Sequence, residues 1–279
     1  MYNFETHYIE DELFDCGQKL TSGELTGIII DDFLSLAEAA SIKNAYYNTL
    51  RSKVTIVDEG FVSYPQSFAQ LTQGLLAKTI EPNEFFNRAQ TYKDTFQDVF
   101  GVNLLQRLQS VTERLFDGKK LYVPTPENKK GSFVPFTFRE LKPGKGELKV
   151  HCENLFFNEF PYFFSLLEHI VLRKNEFSFF VVISSPDEGG ELTLYNANWS
   201  SVKERENFTT LKDYNGNTID ILSPEVQSLK IKPKTGSLLI FSGGDIWHRV
   251  EIVNGAQSRI TIGGFISTGV NNDDLFIWS

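Results

Sequence analysis

The sequence predicts a mainly β protein with flanking helices: a double-stranded β-helix, the cupin-like jelly roll, with an N-terminal helical support. Two observations carry this prediction. After about residue 120, eight short apolar runs follow one another, and glycine-containing turns separate most of them. Before residue 120, the apolar residues recur instead at three- and four-residue steps, as on amphipathic helices. Short strands at this spacing are typical of a barrel made from two sheets.

The region 1–120 is predicted to support the barrel. The run 27–30 predicts a strand, and Ser35 with Glu38 three residues later forms the capping-box pattern that begins a helix reaching about residue 50. A second helical stretch covers residues 82–116 and is broken by a glycine near its middle. These elements are expected to pack against one sheet of the barrel.

The region 121–279 is the predicted barrel core, and together with region 1–120 it is expected to form one catalytic domain, 1–279. A long connection, 197–224, has little pattern, and loops of this kind often act as lids or substrate clamps. The expected strands are 132–140, 147–154, 177–184, 191–196, 226–231, 237–241, 248–252 and 259–266.

Composition and charge exclude some classes of function. The chain has 27 basic and 36 acidic residues, a net charge of −9, and an acidic chain without a basic stripe argues against a nucleic acid partner. We find no run of 18 apolar residues for a membrane span and no signal-peptide pattern, and two cysteines do not indicate a disulfide scaffold. We therefore expect a cytoplasmic protein without a membrane partner. The sequence does not specify the oligomeric state.

Three residues of the barrel region form the pattern of a metal site. His151 and Glu153 are two residues apart on one expected strand, so their side chains should share a face. His248 is expected to begin a later strand that supplies the third ligand. Two imidazoles and one carboxylate are the ligands of non-haem Fe(II) oxygenases, which leave coordination positions open for reactants. Each residue alone is common by chance, so the prediction depends on their combination in a chain with four histidines.

A cationic residue follows at the position that a dicarboxylate co-substrate requires. Arg259 and Thr261 share a face of the last expected strand. A guanidinium can hold a carboxylate through two parallel hydrogen bonds, and a hydroxyl can add a third. We therefore predict Fe(II) as the metal, 2-oxoglutarate as the co-substrate and O2 as the third reactant. Arg139 and Lys142 are candidates for holding the other carboxylate, although solvated charge is the simpler interpretation of both.

The remaining candidates have less specific patterns. His7 and His169 have no partner at ligand spacing, and we assign them no chemistry. The aromatic candidates for pocket walls, for each of which core packing is the simpler explanation, are Phe136, Phe138, Tyr195 and Trp199.

Several segments of the barrel region form an uncommon combination: Val123-Pro124-Thr125-Pro126, His151-x-x-Asn154, Phe177-Ser178-Phe179-Phe180, Gly189-Gly190-Glu191-Leu192, Tyr195, Trp199, Phe241-x-Gly243-Gly244, His248-Arg249-Val250, Arg259-x-Thr261-Ile262-Gly263-Gly264-Phe265 and Trp278-Ser279. On these segments the chain resembles the Fe(II)/2-oxoglutarate-dependent oxygenase superfamily, and within it the cyanobacterial hapalindole and welwitindolinone alkaloid halogenases. The similarity covers about residues 121–279, and the first 120 residues match only in general layout.

The resemblance implies a jelly roll in which His151 and His248 hold iron and Arg259 anchors 2-oxoglutarate. It also implies that Ser178 lines the pocket, and the alternative for this residue is an ordinary strand serine whose hydroxyl is satisfied. The substrate class that it implies is a free small molecule, either an alkaloid-like metabolite or an amino acid.

One residue departs from the pattern of these halogenases. They carry glycine or alanine two residues after the first histidine, and the vacated iron position takes chloride. Here that residue is Glu153, and a carboxylate is expected to coordinate iron and occupy the halide position. We therefore expect hydroxylation of an unactivated C–H bond, with release of succinate and CO2. The alternatives are desaturation, cyclisation or halogenation-related chemistry at the same site, or a non-catalytic jelly roll that binds a small molecule.

Overall fold

Two β-sheets that pack face to face form the centre of the computed structural model, which describes residues 2–66, 74, 81–127, 130–159, 161–172, 177–199, 210–212 and 218–279. The strands are β1 (Phe4–Tyr8), β2 (Gly27–Asp31), β3 (Thr55–Ile56), β4 (Phe61–Tyr64), β5 (Leu121–Tyr122), β6 (Thr137–Leu141), β7 (Leu148–His151), β8 (Phe177–Ser184), β9 (Glu188–Gly189), β10 (Leu192–Asn198), β11 (Thr210–Lys212), β12 (Thr218–Asp220), β13 (Ser228–Ile231), β14 (Leu238–Phe241), β15 (Ile246–Val250), β16 (Val253–Asn254), β17 (Arg259–Thr268) and β18 (Leu275–Trp278).

The large sheet has the strand order β1-β2-β14-β8-β17-β6-β4-β3, and β18 pairs with both β17 and β5. The small sheet has the order β13-β10-β15-β7. Strands β6, β8, β14 and β17 of the large sheet and all four strands of the small sheet correspond to the eight strands expected from the sequence. This arrangement confirms the predicted double-stranded β-helix. Two further strand pairs, β11–β12 and β9–β16, lie outside the two sheets.

The helices are α1 (Cys16–Ser22), α2 (Leu36–Ala45), α3 (Pro82–Phe100), α4 (Leu104–Leu115), α5 (Glu153–Glu159) and α6 (Pro161–Leu167), and a π-helical turn, Tyr46–Leu50, continues α2. Ser35 and Glu38 form the predicted capping box at the start of α2. Gly101 separates α3 from α4 and has a φ of 74°, in the left-handed region where glycine is favoured. None of the described helices is long and apolar enough to cross a membrane.

The N-terminal region also contributes strands, which the sequence analysis recognised only for β2. Strands β1 and β2 extend one edge of the large sheet, and β3 and β4 extend the other. Strands β3 and β4 are only two and four residues long, too short for a clear two-residue periodicity. The helices cover the outer face of the large sheet, where their apolar residues join one extended core.

The large sheet buries a different set of residues on each face. Phe180, Val182 and Phe241 contact the small sheet in the barrel interior. Phe138 lies on the other face, where its ring stacks on Tyr46 with centroids 4.9 Å apart. Phe138 and Phe136 both pack in the helix-facing core, so they take the core-packing role that the sequence favoured for them and do not face the barrel interior.

The predicted lid, 197–224, lies partly outside the described residues. Strand β10 extends into it as far as Asn198, and β11 pairs with β12 as an antiparallel hairpin.

Candidate metal centre

His151, Glu153 and His248 converge at one end of the barrel. Each offers a ligand atom, and these atoms lie within 4.8 Å of one another. Strands β7 and β15 are antiparallel neighbours in the small sheet, and His151 is the register partner of His248. The two imidazole centroids are 4.4 Å apart. The structure therefore brings together the three residues that the sequence singled out.

The backbone presents two of these residues differently from the sequence expectation. Strand β7 ends at His151, and Glu153 is the first residue of α5 rather than part of a strand. The Glu153 backbone N–H donates to the Gly243 carbonyl (3.2 Å). This donor is therefore bonded to a loop that is distant in sequence, and not to a neighbouring strand of the sheet. His248 lies in the middle of β15, not at its start.

Gly243 gives the carboxylate room, and sequence analysis did not assign it a role. A Cβ added at this position would lie 2.0 Å from Ser178 Oγ and 2.8 Å from Glu153 Oε2. Such contacts are shorter than van der Waals separation permits, so a side chain here would displace one of the two groups. The glycine pair after β14 was the available signal, but its spatial neighbours were not readable from the sequence.

Backbone carbonyls fix the tautomers of both histidines. His151 Nδ1 lies 2.6 Å from the Lys149 carbonyl oxygen, and His248 Nδ1 lies 2.8 Å from that of Ile246. Because a carbonyl can only accept, each neutral ring carries its proton on Nδ1. Nε2 of each ring is then available as a ligand. This is the usual outer support of a metal-binding histidine.

Electrostatics favour a neutral imidazole at His151 and a carboxylate at Glu153, whereas at His248 burial acts to lower the pKa but the Glu153 carboxylate outweighs it and raises the pKa above its usual value. Burial lowers the pKa of His151 to about 4, and the neighbouring His248 adds to this effect. Burial acts to raise the pKa of Glu153, but His248, His151 and the Ser178 hydroxyl outweigh it and hold the pKa at about 2. At neutral pH the site therefore contains a carboxylate and at least one neutral imidazole.

Glu153 provides the test of whether these residues fit a metal ion. Its Oε1 accepts a hydrogen bond from Ser178 Oγ and lies 3.5 Å from His248 Nε2. Its Oε2 is buried and has no hydrogen-bond partner among the described residues. Buried polar atoms are rarely left unpaired, and a cation beside Oε2 would satisfy it. Two imidazoles and a carboxylate are a donor set that suits Fe(II), so the residues fit the ion.

A cationic cluster lies on the inner face of the large sheet. Thr261 on β17 is the register partner of Arg139 on β6, and Arg259 lies two residues before Thr261 on the same face. Arg259 is 5% exposed, its Nη1 is 3.5 Å from Thr261 Oγ1, and its guanidinium lies 4.9 Å from the Phe180 ring centroid. Burial, together with Arg139, lowers the pKa of Arg259 to about 10.

Neither arginine of this cluster forms an ion pair with an acidic side chain of the described residues. Among the residues that the structure describes, the hydrogen-bond partners of Arg139 are two hydroxyls, with Nε 3.4 Å from Thr137 Oγ1 and Nη2 3.4 Å from Ser279 Oγ. Arg259 is buried and Arg139 is half-buried, and removing unpaired cations from water costs stability. An anionic ligand between the arginines would offset that cost.

The remaining candidates occupy different places. Ser178 lies beside Glu153, as described above. Tyr195 faces away from the metal centre, because its neighbour Leu194 is the register partner of His248 and adjacent strand residues alternate faces. Trp199 stacks on Trp247 in the same outer cluster, with ring centroids 6.0 Å apart. Tyr195 and Trp199 therefore take the packing role that the sequence favoured for them, and their part in a substrate pocket stays a prediction. Lys142 lies just after the end of β6.

Comparisons with known proteins agree with this geometry. The model of the carrier-protein-independent halogenase WelO5 family matches residues 4–279. The chain belongs to this family. The match includes the N-terminal region, where the sequence analysis recognised only a general layout. The protein is thus an Fe(II)- and 2-oxoglutarate-dependent enzyme of the non-haem oxygenase superfamily, and its reactants include O2.

Solved structures show the same fold. An N-substituted L-amino acid dioxygenase from Burkholderia ambifaria AMMD superposes with a TM-score of 0.56 at 15% identity, over 94% of this chain and 90% of that chain. Its complex with alpha-KG (2-oxoglutarate) gives a TM-score of 0.58 at 14% identity, over 93% of this chain and 89% of that chain. A search of curated proteins finds no match.

Proposed function

We propose that the protein hydroxylates an unactivated C–H bond of a free small molecule and converts 2-oxoglutarate to succinate and CO2. One observation carries the choice of hydroxylation. The buried Glu153 stands where the halogenases that this sequence resembles have glycine or alanine, and its unpaired Oε2 points to a third protein ligand. With Glu153 bound to iron, the position that would take a halide is filled.

In this proposal, His151 Nε2, His248 Nε2 and Glu153 hold the iron. When bound, Fe(II) with 2-oxoglutarate supplies the activation of O2. Ser178 positions the carboxylate, because its hydroxyl donates to Oε1 and leaves Oε2 available for the metal. The carbonyls of Lys149 and Ile246 hold the two imidazoles in the ligand tautomer.

The cationic cluster is proposed to bind the co-substrate. Arg259 and Thr261 would hold the distal carboxylate of 2-oxoglutarate, since a guanidinium and a hydroxyl provide three donors. The charge of Arg139 contributes to the electrostatics of Glu153 and His151, and this supports placing Arg139 toward the metal centre and Arg259 farther from it. We therefore assign Arg139 to the carboxylate at the metal end. A dianion spanning both sites would neutralise the two cations.

The substrate is proposed to be a free amine-containing metabolite or amino acid. The net charge of −9 favours a cationic molecule through the field it creates. The structurally similar dioxygenase acts, by its name, on N-substituted L-amino acids. Desaturation and cyclisation would use the same protein groups and differ only in where the substrate's C–H bonds lie. The cytoplasmic location remains a prediction from the sequence.

The experiment compares wild type with Glu153→Ala in anaerobic Fe(II) and 2-oxoglutarate, by following the visible metal-to-ligand charge-transfer band while chloride is added. We expect a wild-type band that chloride does not change, and a Glu153→Ala band that shifts with chloride. Glu191→Ala, which removes a surface carboxylate paired with Lys232, is the matched control and should behave as wild type.

The result also separates the alternatives. A wild-type band that shifts with chloride would leave a halide position open and favour halogenation. Undiminished hydroxylation by Glu153→Ala would exclude the carboxylate as a ligand. The absence of any band in folded, iron-supplied protein would favour a jelly roll that only binds a small molecule.

A further inference from the structure

A second group of metal-ligand side chains lies near the N-terminus, among residues to which the sequence analysis assigned no chemistry. Glu5 and His7 are two residues apart on β1, so their side chains share a face of the strand. Helix α1 brings Cys16, its first residue, to that face. Ligand atoms of the three residues lie within 4.8 Å of one another.

The three ligand atoms form a triangle of the size that a tetrahedral metal ion requires. His7 Nε2 lies 3.1 Å from Glu5 Oε2, and Cys16 Sγ lies 3.9 Å from Glu5 Oε2 and 3.8 Å from His7 Nε2. Tetrahedral zinc, with bonds of about 2.0–2.1 Å to N and O and about 2.3 Å to S, separates its ligands by about 3.3–3.6 Å. Shifts of a few tenths of an ångström would therefore bring all three atoms to bonding distance.

We propose that Glu5, His7 and Cys16 form a second metal site, which binds Zn²⁺ independently of the iron. A thiolate, an imidazole and a carboxylate are all ligands that zinc uses, and the thiolate makes this set softer than that of His151, Glu153 and His248. The two sites share no residue. Binding would replace the Cys16 thiol proton with the metal and release it to solvent.

The surroundings of the cluster are compatible with an ion that reaches it from solvent. Cys16 is 2% exposed, whereas the side chains of His7 and Glu5 are 21% and 34% exposed. The thiol side is thus closed and the carboxylate side is open, where water can complete the coordination. Lys19 Nζ lies 3.7 Å from Glu5 Oε1. The ammonium group therefore pairs with the carboxylate oxygen that is not proposed as a metal ligand.

The site would fasten the N-terminal strand to the helix that follows it. Strand β1 is the edge of the large sheet and pairs only with β2 among the described strands. Terminal strands with one partner fray readily. A metal bound by residues of both β1 and α1 would cross-link the edge strand to the helix. It would thereby stabilise this edge of the sheet.

Cobalt(II) provides the test, because a thiolate ligand gives a sulfur-to-cobalt charge-transfer absorption in the near ultraviolet that imidazole and carboxylate ligands do not give. Metal-free full-length protein is titrated with Co²⁺. We expect the absorption in wild type and in Cys152→Ala, and its loss in Cys16→Ser and His7→Gln. His248→Ala should keep the absorption while binding one ion fewer, which separates this site from the iron site whatever the outcome for the proposed function.

Equilibrium dialysis with Zn²⁺ gives the second readout. Wild type should bind two ions per chain, and Glu5→Gln and Cys16→Ser should bind one. If Cys16→Ser does not fold, alkylation of wild type takes the place of this variant. Bound Zn²⁺ should protect the Cys16 thiol from the alkylating reagent, and mass spectrometry of the peptide that contains Cys16 measures the protection. An absorption that survives in Cys16→Ser, or one ion per wild-type chain with Cys16 unprotected, would overturn the proposal.

Discussion

The two faces of strand β17 are both buried, but they carry opposite chemistry. Arg259 and Thr261 face the barrel interior and are 5% and 1% exposed. Ile260 and Ile262 alternate with them, face the helices and are 0% exposed. One strand therefore buries an unpaired cation on one side and continuous apolar surface on the other.

The difference indicates how the two faces contribute. Apolar burial on the helix-facing side stabilises the fold at about 25 cal/mol per Å². The buried guanidinium on the inner side costs free energy in the absence of an anion. An anionic ligand beside the guanidinium would offset this cost. We therefore expect substitutions on the inner face to change co-substrate binding, and substitutions on the outer face to change the free energy of unfolding.

The largest effect is expected at Arg259. Arg259→Gln should weaken 2-oxoglutarate binding by about 10²–10³-fold, or about 3–4 kcal/mol, because a desolvated charge pair is lost. Without co-substrate, its free energy of unfolding should stay the same or rise, since no carboxylate loses a partner. Anaerobic titration with Fe(II) and thermal unfolding give the two quantities. Arg249→Gln, which breaks a pair with Glu147 and Glu251, is the control and should bind 2-oxoglutarate normally.

The opposite face should show the reverse pattern. Ile262→Ala deletes a fully buried side chain that packs against the helices. We expect a loss of about 2–4 kcal/mol in unfolding free energy from the transfer and cavity terms. The dissociation constant for 2-oxoglutarate, measured well below the unfolding temperature, should stay within about twofold of wild type. A large loss of affinity in this variant would contradict the separation of the two faces.

An intermediate effect is expected at Gly243, which borders the inner face. Gly243→Ala would place a Cβ against Ser178 Oγ and Glu153 Oε2 and should weaken Fe(II) binding by about 10–100-fold, as disturbing the support of a metal ligand usually does. Adding Ser178→Ala removes the contact with Oγ, but Ser178 Cβ stays 2.7 Å from the added Cβ and Glu153 Oε1 loses its hydrogen bond, so only part of the affinity should return. Partial recovery of Fe(II) affinity in the double variant, measured by metal titration, would establish the coupling; strictly additive losses would contradict it.

The strands and the identities of the metal ligands were predictable because the patterns that indicate them can be read from the sequence without knowing any tertiary contact. Eight apolar runs with turns between them specified the barrel, and His151, Glu153 and His248 are scarce residue types in a recognisable order. The placement of Glu153 at a helix start was not predictable, because it depends on the distant Gly243 carbonyl.

The direction in which individual strand side chains face was also not predictable from the sequence. Phe138 and Tyr195 belong to strands that bury apolar side chains on both faces, so alternation alone does not reveal which face encloses the site. Likewise, Glu5 and His7 meet Cys16 only after α1 folds back over β1, and no spacing rule joined them beforehand.

The smallest predicted effect belongs to the helical layer and should depend on pH. Hydrogen bonds from Arg107, together with those from Ser35, hold the pKa of Glu38 at about 2 despite the opposing effect of burial, against an ordinary value of 4.5. Because the folded pKa is the lower one, the carboxylate stabilises the protein above pH 4.5, and this contribution is lost as the pH falls from there toward 2.

Glu38→Gln should therefore lower the unfolding free energy by about 1 kcal/mol at pH 7, the usual value of a cap with a partly exposed ion pair. The difference from wild type should shrink as the pH approaches 3. Denaturant unfolding at several pH values measures this, with Glu84→Gln, whose pair with Arg88 is exposed, as the control without effect. Because α2 lies on the helix-facing side, 2-oxoglutarate affinity should not change; a pH-independent difference, or a change in that affinity, would count against the assignment.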